Sequence, residues 1–147
     1  MGIKEIDLKI MSLLRRNARE SLTHLSRQTN IPISTIFDRL KAQSGTAIKK
    51  HTVLLNFPLI GYQIRLHMLV RTKDLASATS FLRSHSHVNS VFQLSGEYDF
   101  AIDAIFKDMQ EVDAFMQAFG TAACLEKINT NYIVSEVVRE QFLENTY

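Results

Sequence analysis

The sequence of 147 residues predicts an α+β protein built from two parts that differ in periodicity and in charge. In the first part apolar residues recur every three or four positions, as in amphipathic helices. In the second part short stretches alternate between apolar and polar residues, as in half-buried strands. Residues 1–60 carry ten Lys and Arg against four Asp and Glu, a net charge of +6, whereas residues 61–147 carry seven against eleven, a net charge of −4. A basic part followed by an acidic part indicates a module that binds a polyanion, joined to a module with another task.

Three short helices are predicted in the first part. The first runs from about Glu5 to Asn17, where apolar residues recur at helical spacing. Ser21 is a good N-cap for a second helix ending near Gln28, and Pro32 then breaks the pattern by disfavouring helical geometry at the residue before it. Ser34 is predicted to cap the third helix. Its predicted buried stripe, at the spacing i, i+3, i+4, i+7, consists of Ile33, Ile36, Phe37 and Leu40.

Two short helices joined by a tight turn form a candidate helix-turn-helix unit, whose second helix lies in the major groove of DNA. Arg39 can donate two hydrogen bonds to guanine, Thr35 can contact a thymine methyl group, and Asp38 can accept from cytosine. Hydroxyl residues at the helix N-termini, where backbone N–H groups are free, suit phosphate. The alternative is a small helical bundle with a solvated polar face, but the local basic charge and the tight turn favour DNA. The predicted DNA-contacting residues are Ser21, Thr23, Ser34, Thr35, Asp38, Arg39, Lys41, Lys49 and Lys50.

Residues 48–61 are predicted to link the two parts. The segment from Ile48 to Asn56 is rich in β-forming residues and is predicted as a strand. Lys49, Lys50 and His51 form either a wing that contacts phosphate or an ordinary charged strand edge. The predicted domains are therefore a helix-turn-helix domain over 1–47, a linking strand and hinge over 48–61, and a second domain over 62–147.

The second part is predicted to follow the order β-α-β-β-α-β, which is that of the ferredoxin-like fold. Its second helix is predicted to be capped by Asp108. Two helices cover one face of such a sheet and the other face needs a partner, so we expect a homodimer or a larger assembly. The predicted strands span residues 64–70, 88–94, 100–106 and 125–138, and the predicted helices span residues 75–84 and 109–119.

No pattern of residues indicates catalysis, a cofactor or a metal site. His85 and His87 are a close pair without a third ligand in sequence, so a solvated loop is favoured over a metal site. Asp99 and Asp103 share a strand face, where a role at an interface is favoured over acid–base catalysis. Cys124, the single cysteine, is predicted to be a small buried residue. The absence of a long apolar run predicts no membrane-spanning helix and no membrane partner, and we expect a cytoplasmic protein.

The chain resembles the Lrp/AsnC (feast/famine) transcription regulators over nearly its whole length. The resemblance rests on IDLKIMSLLRRNARES, residues 6–21, ahead of the helix-turn-helix, and on SGEYDF, residues 95–100. The latter looks like the family's Gly-Asp-Tyr-Asp turn between the second and third strands. The resemblance implies a winged helix-turn-helix domain that binds double-stranded DNA as a dimer, and a linking strand that pairs between subunits. It also implies a regulatory (RAM/AsnC-type) domain that binds an amino acid or related metabolite, and assembly of dimers into larger rings, often octamers.

In this family effectors bind near that turn and near the start of the last strand. If Gly96 adopts a positive φ, its neighbouring N–H groups are open to a carboxylate, and Asp99 or Glu97 can pair with an α-ammonium group. The alternative is a tight turn without a ligand. The sequence departs from the family pattern at Glu97, at the two asparagines of the last strand, and in the irregular segment LKAQSGTAIKK. The candidate effector residues are Gly96, Glu97, Tyr98 and Asp99, carried over by motif, and Asn129, Thr130 and Asn131, carried over by position.

Two other functions stay open at this level. An architectural, chromatin-like DNA binder would keep the same DNA-binding face but show little sequence preference and lack an effector. An enzyme is the other alternative, because siroheme decarboxylases resemble this two-part architecture and carry His and Arg just after the hinge. Here Arg65 stands in that region with no histidine between it and the hinge, so the match is poor.

Overall fold

The computed structural model describes residues 2–146 and divides the chain into two compact units. One unit comprises Met1–Leu54 together with Val137–Tyr147, and the other comprises Leu55–Glu136. In this division residues 137–147 group with the helices, where two arginines of the first helix bind backbone carbonyl groups of the segment. The predicted domain bounds stay a prediction.

The first unit contains α1 (Glu5–Arg16), α2 (Leu22–Thr29) and α3 (Ile33–Gln43). The predicted cap of α2 is confirmed, because the Ser21 hydroxyl accepts a hydrogen bond from the His24 N–H at 3.1 Å. Asn30 ends this helix in the left-handed conformation, with φ of 57°. The predicted cap of α3 is wrong. Pro32 occupies the N-cap position without a side-chain hydrogen bond, and Ser34 lies inside the first turn.

The core of this unit is formed by Ile10, Leu25 and Ile36, one from each helix. The predicted stripe of α3 is partly wrong, because Ile33 and Phe37 are 45% and 54% exposed. The buried stripe has the predicted helical spacing, but it is rotated about the helix axis relative to the predicted one. It consists of Ile36, Arg39, Leu40 and Gln43.

The C-terminal segment is held against α1 by hydrogen bonds. Arg15 Nε donates to the Phe142 carbonyl oxygen at 3.0 Å, and Arg15 also forms an ion pair with Glu140 at 3.2 Å. Arg16 Nε donates to the carbonyl oxygen of Glu144. These contacts neutralise part of the basic face of α1 and stabilise a segment that has no regular secondary structure of its own.

Within a single chain, the linking segment does not form the strand predicted for it. Residues 49–56 form no strand within the described residues, and Ile48 makes only an isolated parallel bridge with Ser44. A strand needs a neighbour for its N–H and C=O groups, and one chain supplies none here. Val53 and Leu54 are exposed. Pairing of this segment between subunits stays a prediction.

The second unit is a four-stranded antiparallel sheet with two helices, in the predicted βαββαβ order. The strand order across the sheet is β2-β3-β1-β4, and the last strand ends at Tyr132 rather than at Val138. Its elements are β1 (Ile64–Thr72), α4 (Leu75–Ser84), β2 (Val88–Gln93), β3 (Phe100–Phe106), α5 (Met109–Ala122) and β4 (Leu125–Tyr132).

The helices cover one face of this sheet, where even-numbered residues of β1 and β3 are buried beside α5 aromatic residues. The alternation predicted for β1 is confirmed by its buried residues Leu66, Met68 and Val70. The cap predicted for α5 is also confirmed, since Asp108 accepts from the Glu111 N–H at 3.0 Å.

One single-residue expectation fails in this unit. Cys124 was expected to be buried but is exposed, in the connection between α5 and β4. Leu75, the first residue of α4, is also exposed. In residues 2–146 none of the helices has the length and apolar character needed to cross a membrane.

Candidate nucleic-acid interface and small-molecule site

The outer face of α3 carries Ser34, Asp38 and Lys41, all exposed. Their spacing of i, i+4 and i+7 places them in one row, on the side of the helix opposite the buried Ile36. Thr35 lies at the flank of this row and is half-buried. We call Ser34, Asp38 and Lys41 the α3 ridge.

Arg39 does not belong to the outer face, so its predicted contact with a base is wrong. Its guanidinium faces α1, where Nε donates to Asp7 Oδ1 at 2.7 Å and a terminal nitrogen donates to Asp7 Oδ2. The two side chains are 10% and 1% exposed. A bidentate Arg–carboxylate pair of this kind leaves the guanidinium unable to read guanine.

Asp7 is a residue that the sequence reasoning missed. Its Oδ2 also accepts from the Lys4 N–H at 2.8 Å, so it caps α1 as well as binding Arg39. A signal was present, because an acidic residue stands on the apolar face of α1 beside Ile6 and Ile10. An acidic residue at such a position needs a buried partner.

The other predicted DNA-contacting residues are accessible. Thr23 is exposed on α2, and Ser21 keeps its hydroxyl hydrogen for donation while its oxygen caps the helix. Lys49 and Lys50 are exposed in the segment after α3. Arg27, one turn beyond Thr23, is a further exposed cation on α2. These residues and the α3 ridge all lie in the part of the chain with a net charge of +6.

In the second unit the turn between β2 and β3 is anchored through Asp99. The Asp99 N–H donates to the Val70 carbonyl at 2.8 Å, its carbonyl accepts from Leu94 at 2.8 Å, and its Oδ2 accepts from the Thr72 N–H at 2.8 Å. Asp99 thus fixes the turn to β1. Gly96 does not adopt the positive φ that glycine permits; among the described glycines, Gly45 and Gly61 do. Gly96 is exposed, and a side chain there would meet open space.

Glu97 and Tyr98 of this turn meet Lys127 of β4. Lys127 Nζ lies 2.6 Å from Glu97 Oε1 and 5.2 Å from the centroid of the Tyr98 ring. The ammonium group lowers the pKa of Glu97, and the carboxylate in turn raises the pKa of Lys127. Lys127 was missed from the sequence, although it precedes Asn129 by two residues and therefore shares its strand face.

The candidate residues of β4 divide between the two faces of the sheet. Asn129 and Asn131 lie on the face not covered by helices, where the Asn131 amide donates to Asn129 Oδ1 at 3.2 Å. Lys127 lies on this face too. Thr130 pairs in register with Met68, whose side chain is in the core, so it lies on the helix side. The structure therefore brings Asn129 and Asn131 together with Lys127 but not with Thr130.

A second polar cluster on the open face surrounds Asp103. Arg65 donates two hydrogen bonds to this carboxylate, at 2.7 and 2.9 Å, and a third to Glu136 at 2.7 Å. The Asn89 amide adds a hydrogen bond to Asp103 at 2.7 Å. The hydrogen bond to Asp103 is the main cause of the raised pKa of Arg65. Asp103 is thus hydrogen-bonded to Arg65, whereas Asp99 is hydrogen-bonded to the Thr72 N–H. Asp99 and Asp103 therefore do not form a carboxylate pair.

The two neighbouring histidines pack against the aromatic core beneath α5. Their ring centroids lie 5.5 Å apart, and the His85 ring lies 4.8 Å from that of Phe115. Burial lowers the pKa of His85, and electrostatic repulsion from the nearby His87 lowers it further. Across residues 2–146 no group of three or more His, Cys, Asp or Glu side chains is arranged to hold a metal ion.

Comparison with known proteins identifies both parts of the chain. Residues 63–143 match the Lrp/AsnC ligand binding domain, and residues 3–42 match a winged helix-turn-helix DNA-binding domain. An uncharacterized HTH-type transcriptional regulator of Pyrococcus furiosus is 28% identical over 145 residues, which is 97% of each chain. The HTH-type transcriptional regulator FL11 of the same organism is 29% identical over 142 residues, 94% of this chain and 93% of that one.

Two solved structures share the fold. The transcriptional regulator NMB0573/L-Met complex from Neisseria meningitidis has a TM-score of 0.83 at 22% identity and covers 94% of both chains. LrpC of B. subtilis has a TM-score of 0.83 at 19% identity, covering 94% of this chain and 99% of that one. The predicted family and fold class are confirmed, and with them the prediction of a regulator rather than an enzyme. The chain belongs to the Lrp/AsnC family of DNA-binding transcription regulators.

Proposed function

We propose that this regulator reads double-stranded DNA with the α3 ridge and responds to an amino acid bound by its second unit. The observation that carries the proposal is the exposed row of Ser34, Asp38 and Lys41 on the second helix of the helix-turn-helix, within a strongly basic part of the chain. Lys41 donates to guanine, Asp38 accepts from cytosine, and Ser34 bonds to either type of base.

Contacts to phosphate come from residues around the ridge. Lys49 and Lys50 follow α3 and supply positive charge, while Ser21 and Thr23 stand at the start of α2, where backbone N–H groups favour an anion. Thr35 is the remaining candidate at the flank of the ridge. These contacts set the position and register of the protein on DNA, and the ridge supplies the sequence preference.

The amino-acid site is proposed at the turn formed by residues 96–99, with Lys127 added to the predicted set. Glu97 and Lys127 place a carboxylate and an ammonium group side by side, and these complement the two charges of an amino acid. The exposed amides of Asn129 and Asn131 lie along the same sheet face. The Neisseria regulator of the same fold is described in complex with L-Met, which supports a ligand of this class.

We further propose a homo-oligomer, dimer or larger, in the cytoplasm. The face of the sheet without helices exposes apolar residues such as Phe92 on β2, and the linking segment exposes Val53 and Leu54. Antiparallel sheets of this kind bury such a face against a second copy. A segment rich in β-forming residues likewise gains backbone hydrogen bonds by pairing with its equivalent.

The test is fluorescence-anisotropy binding to the DNA upstream of the protein's own gene, against a shuffled duplex, across a salt series. We expect a preference of about a thousandfold or more for the natural duplex. Equal binding to both duplexes with a steep salt dependence would instead identify an architectural binder. No binding to either duplex would overturn the proposed role of the ridge.

A further inference from the structure

Phe37 is an exposed aromatic residue on the helix proposed to enter the major groove. Its side chain is 54% exposed, and Ile33, one turn earlier, is 45% exposed. Neither residue belongs to the core of the unit, which is formed by Ile10, Leu25 and Ile36 with partly buried apolar residues packed against them. A large apolar side chain that the core does not use is available for a partner.

The neighbours of Phe37 define the direction in which it points. Residues four apart lie above one another on a helix, so Ile33 and Phe37 form a row that runs beside Ser34 and Asp38 and meets the α3 ridge at Lys41. This row is apolar at the start of the helix and cationic toward its end. The N-terminal residues of a recognition helix contact base edges.

The acidic residue of the ridge argues that this face meets bases rather than the phosphate backbone. Asp38 is exposed, and an exposed carboxylate directed at phosphates would be repelled by them. Toward base edges the same carboxylate finds a donor in the amino group of cytosine. Phe37 lies in the row next to Asp38 and nearer the start of the helix, so it borders the same outer face.

The major groove displays one apolar group, the C5-methyl group of thymine. We infer that Phe37 is a specificity-determining residue whose ring, flanked by Ile33, packs on thymine methyl groups. The inference rests on the proposed DNA-binding face of α3. It adds a preference for thymine at a defined position, which the polar residues of the ridge do not supply.

The experiment uses the full-length protein and duplexes recovered by in vitro selection from a random pool. Each thymine of the selected duplex is replaced singly by uracil, which removes the methyl group and keeps the base pairing. Binding of the unmodified protein, of Phe37→Ala and of the control Phe142→Ala is measured by anisotropy. Phe142 is a suitable control because it is exposed in the same unit, and its carbonyl bond to Arg15 is kept in the variant.

We expect uracil at one or two positions to weaken binding of the unmodified protein about fourfold per methyl group. Phe37→Ala should bind thymine and uracil duplexes equally at those positions, whereas Phe142→Ala should retain the full ratio. Circular dichroism should show all three proteins equally helical, since both substituted side chains are exposed.

The inference is overturned if uracil affects the unmodified protein and Phe37→Ala equally, or if the selected duplex has no thymine in its recognised half-site. A change of oligomeric state in Phe37→Ala, with an unchanged thymine-to-uracil ratio, would assign the patch to a second copy instead. Failure of the proposed DNA-binding face is a separate outcome, because selection would then enrich no duplex at all.

Discussion

The carboxylate of Asp7 and the guanidinium of Arg39 form a buried ion pair that joins α1 to α3. Because Arg39 is drawn inward, the rotation of α3 about its own axis is fixed. Ser34, Asp38 and Lys41 then lie on the outside and Phe37 lies beside them. A pair on the inner side of the helix thus determines which residues are presented to DNA.

Removing one partner of this pair should unfold the helical unit more easily. Arg39→Ala leaves the Asp7 carboxylate buried without its cation, and we expect a loss of about 3–5 kcal/mol in the free energy of unfolding. Urea titration followed by circular dichroism of the full chain measures this loss. Binding to specific and to non-specific DNA should fall in the same proportion, since the loss acts through folding.

The matched control replaces both partners by apolar residues of similar size, as in Asp7→Leu with Arg39→Met. This double variant should recover stability relative to Arg39→Ala because neither partner leaves an unpaired charge, while the loss of the α1 cap at the Lys4 N–H keeps it below the unmodified protein. If Arg39→Ala instead keeps the stability and loses only specific binding, Arg39 contacts a base in the complex and the inward position is wrong for the bound state.

Lys49 and Lys50 should contribute to the salt dependence of DNA binding rather than to sequence preference. Each lysine that contacts a phosphate releases a counterion, so Lys49→Gln and Lys50→Gln should each reduce the slope of log K against log salt by about 1. The measurement is anisotropy on natural and shuffled duplexes between low and moderate salt. Lys107→Gln, an exposed lysine of the second unit, serves as the control and should leave the slope unchanged.

Much of the second unit could be predicted because its signals are local. The alternation along β1, the range of α4 and the Asp108 cap each depend on residues close together in the chain. The pairing of Glu97 with Lys127 could not be predicted in the same way. These residues are 30 positions apart and meet only once the sheet register is known.

In α3 a single buried charged residue caused the wrong face of the helix to be predicted as buried. Arg39 was counted with the outer residues because it is charged, which left Phe37 and Ile33 as the inner ones. The partner that buries Arg39 lies 32 positions away on α1. Hydropathy alone assigns a charged residue outward, whereas a buried charge is tolerated when a specific partner satisfies it.

Asp99 should be needed for a response to an amino acid. Asp99→Asn keeps an oxygen that accepts from the Thr72 N–H but removes the negative charge available to an α-ammonium group. We expect calorimetric titration with a panel of amino acids to lose its binding heat, while thermal unfolding changes little. Asp99→Ala is less informative, because it also removes the acceptor that fixes the turn.

Asp113→Asn is the control for this experiment, since Asp113 is exposed on α5 and lies on the helix side of the sheet. It should leave the titration unaltered. An Asp99→Asn variant that still binds the same amino acid with the same heat would show that the ammonium group is held elsewhere, with Glu97 as the next residue to substitute.

His85 should make the second unit less stable in mild acid. Burial and the neighbouring His87 lower the pKa of His85 in the folded state, so between that pKa and the unfolded value of about 6.5 the unfolded chain binds more protons. The free energy of unfolding should therefore fall as the pH drops through this window, and rise with pH up to the pKa of the unfolded chain.

Urea midpoints measured from pH 7.5 to pH 5 give this dependence. His85→Gln should lose part of it, whereas His51→Gln, an exposed histidine of the linking segment, should not. A pH dependence identical in His85→Gln and the unmodified chain would show that His85 is not its source.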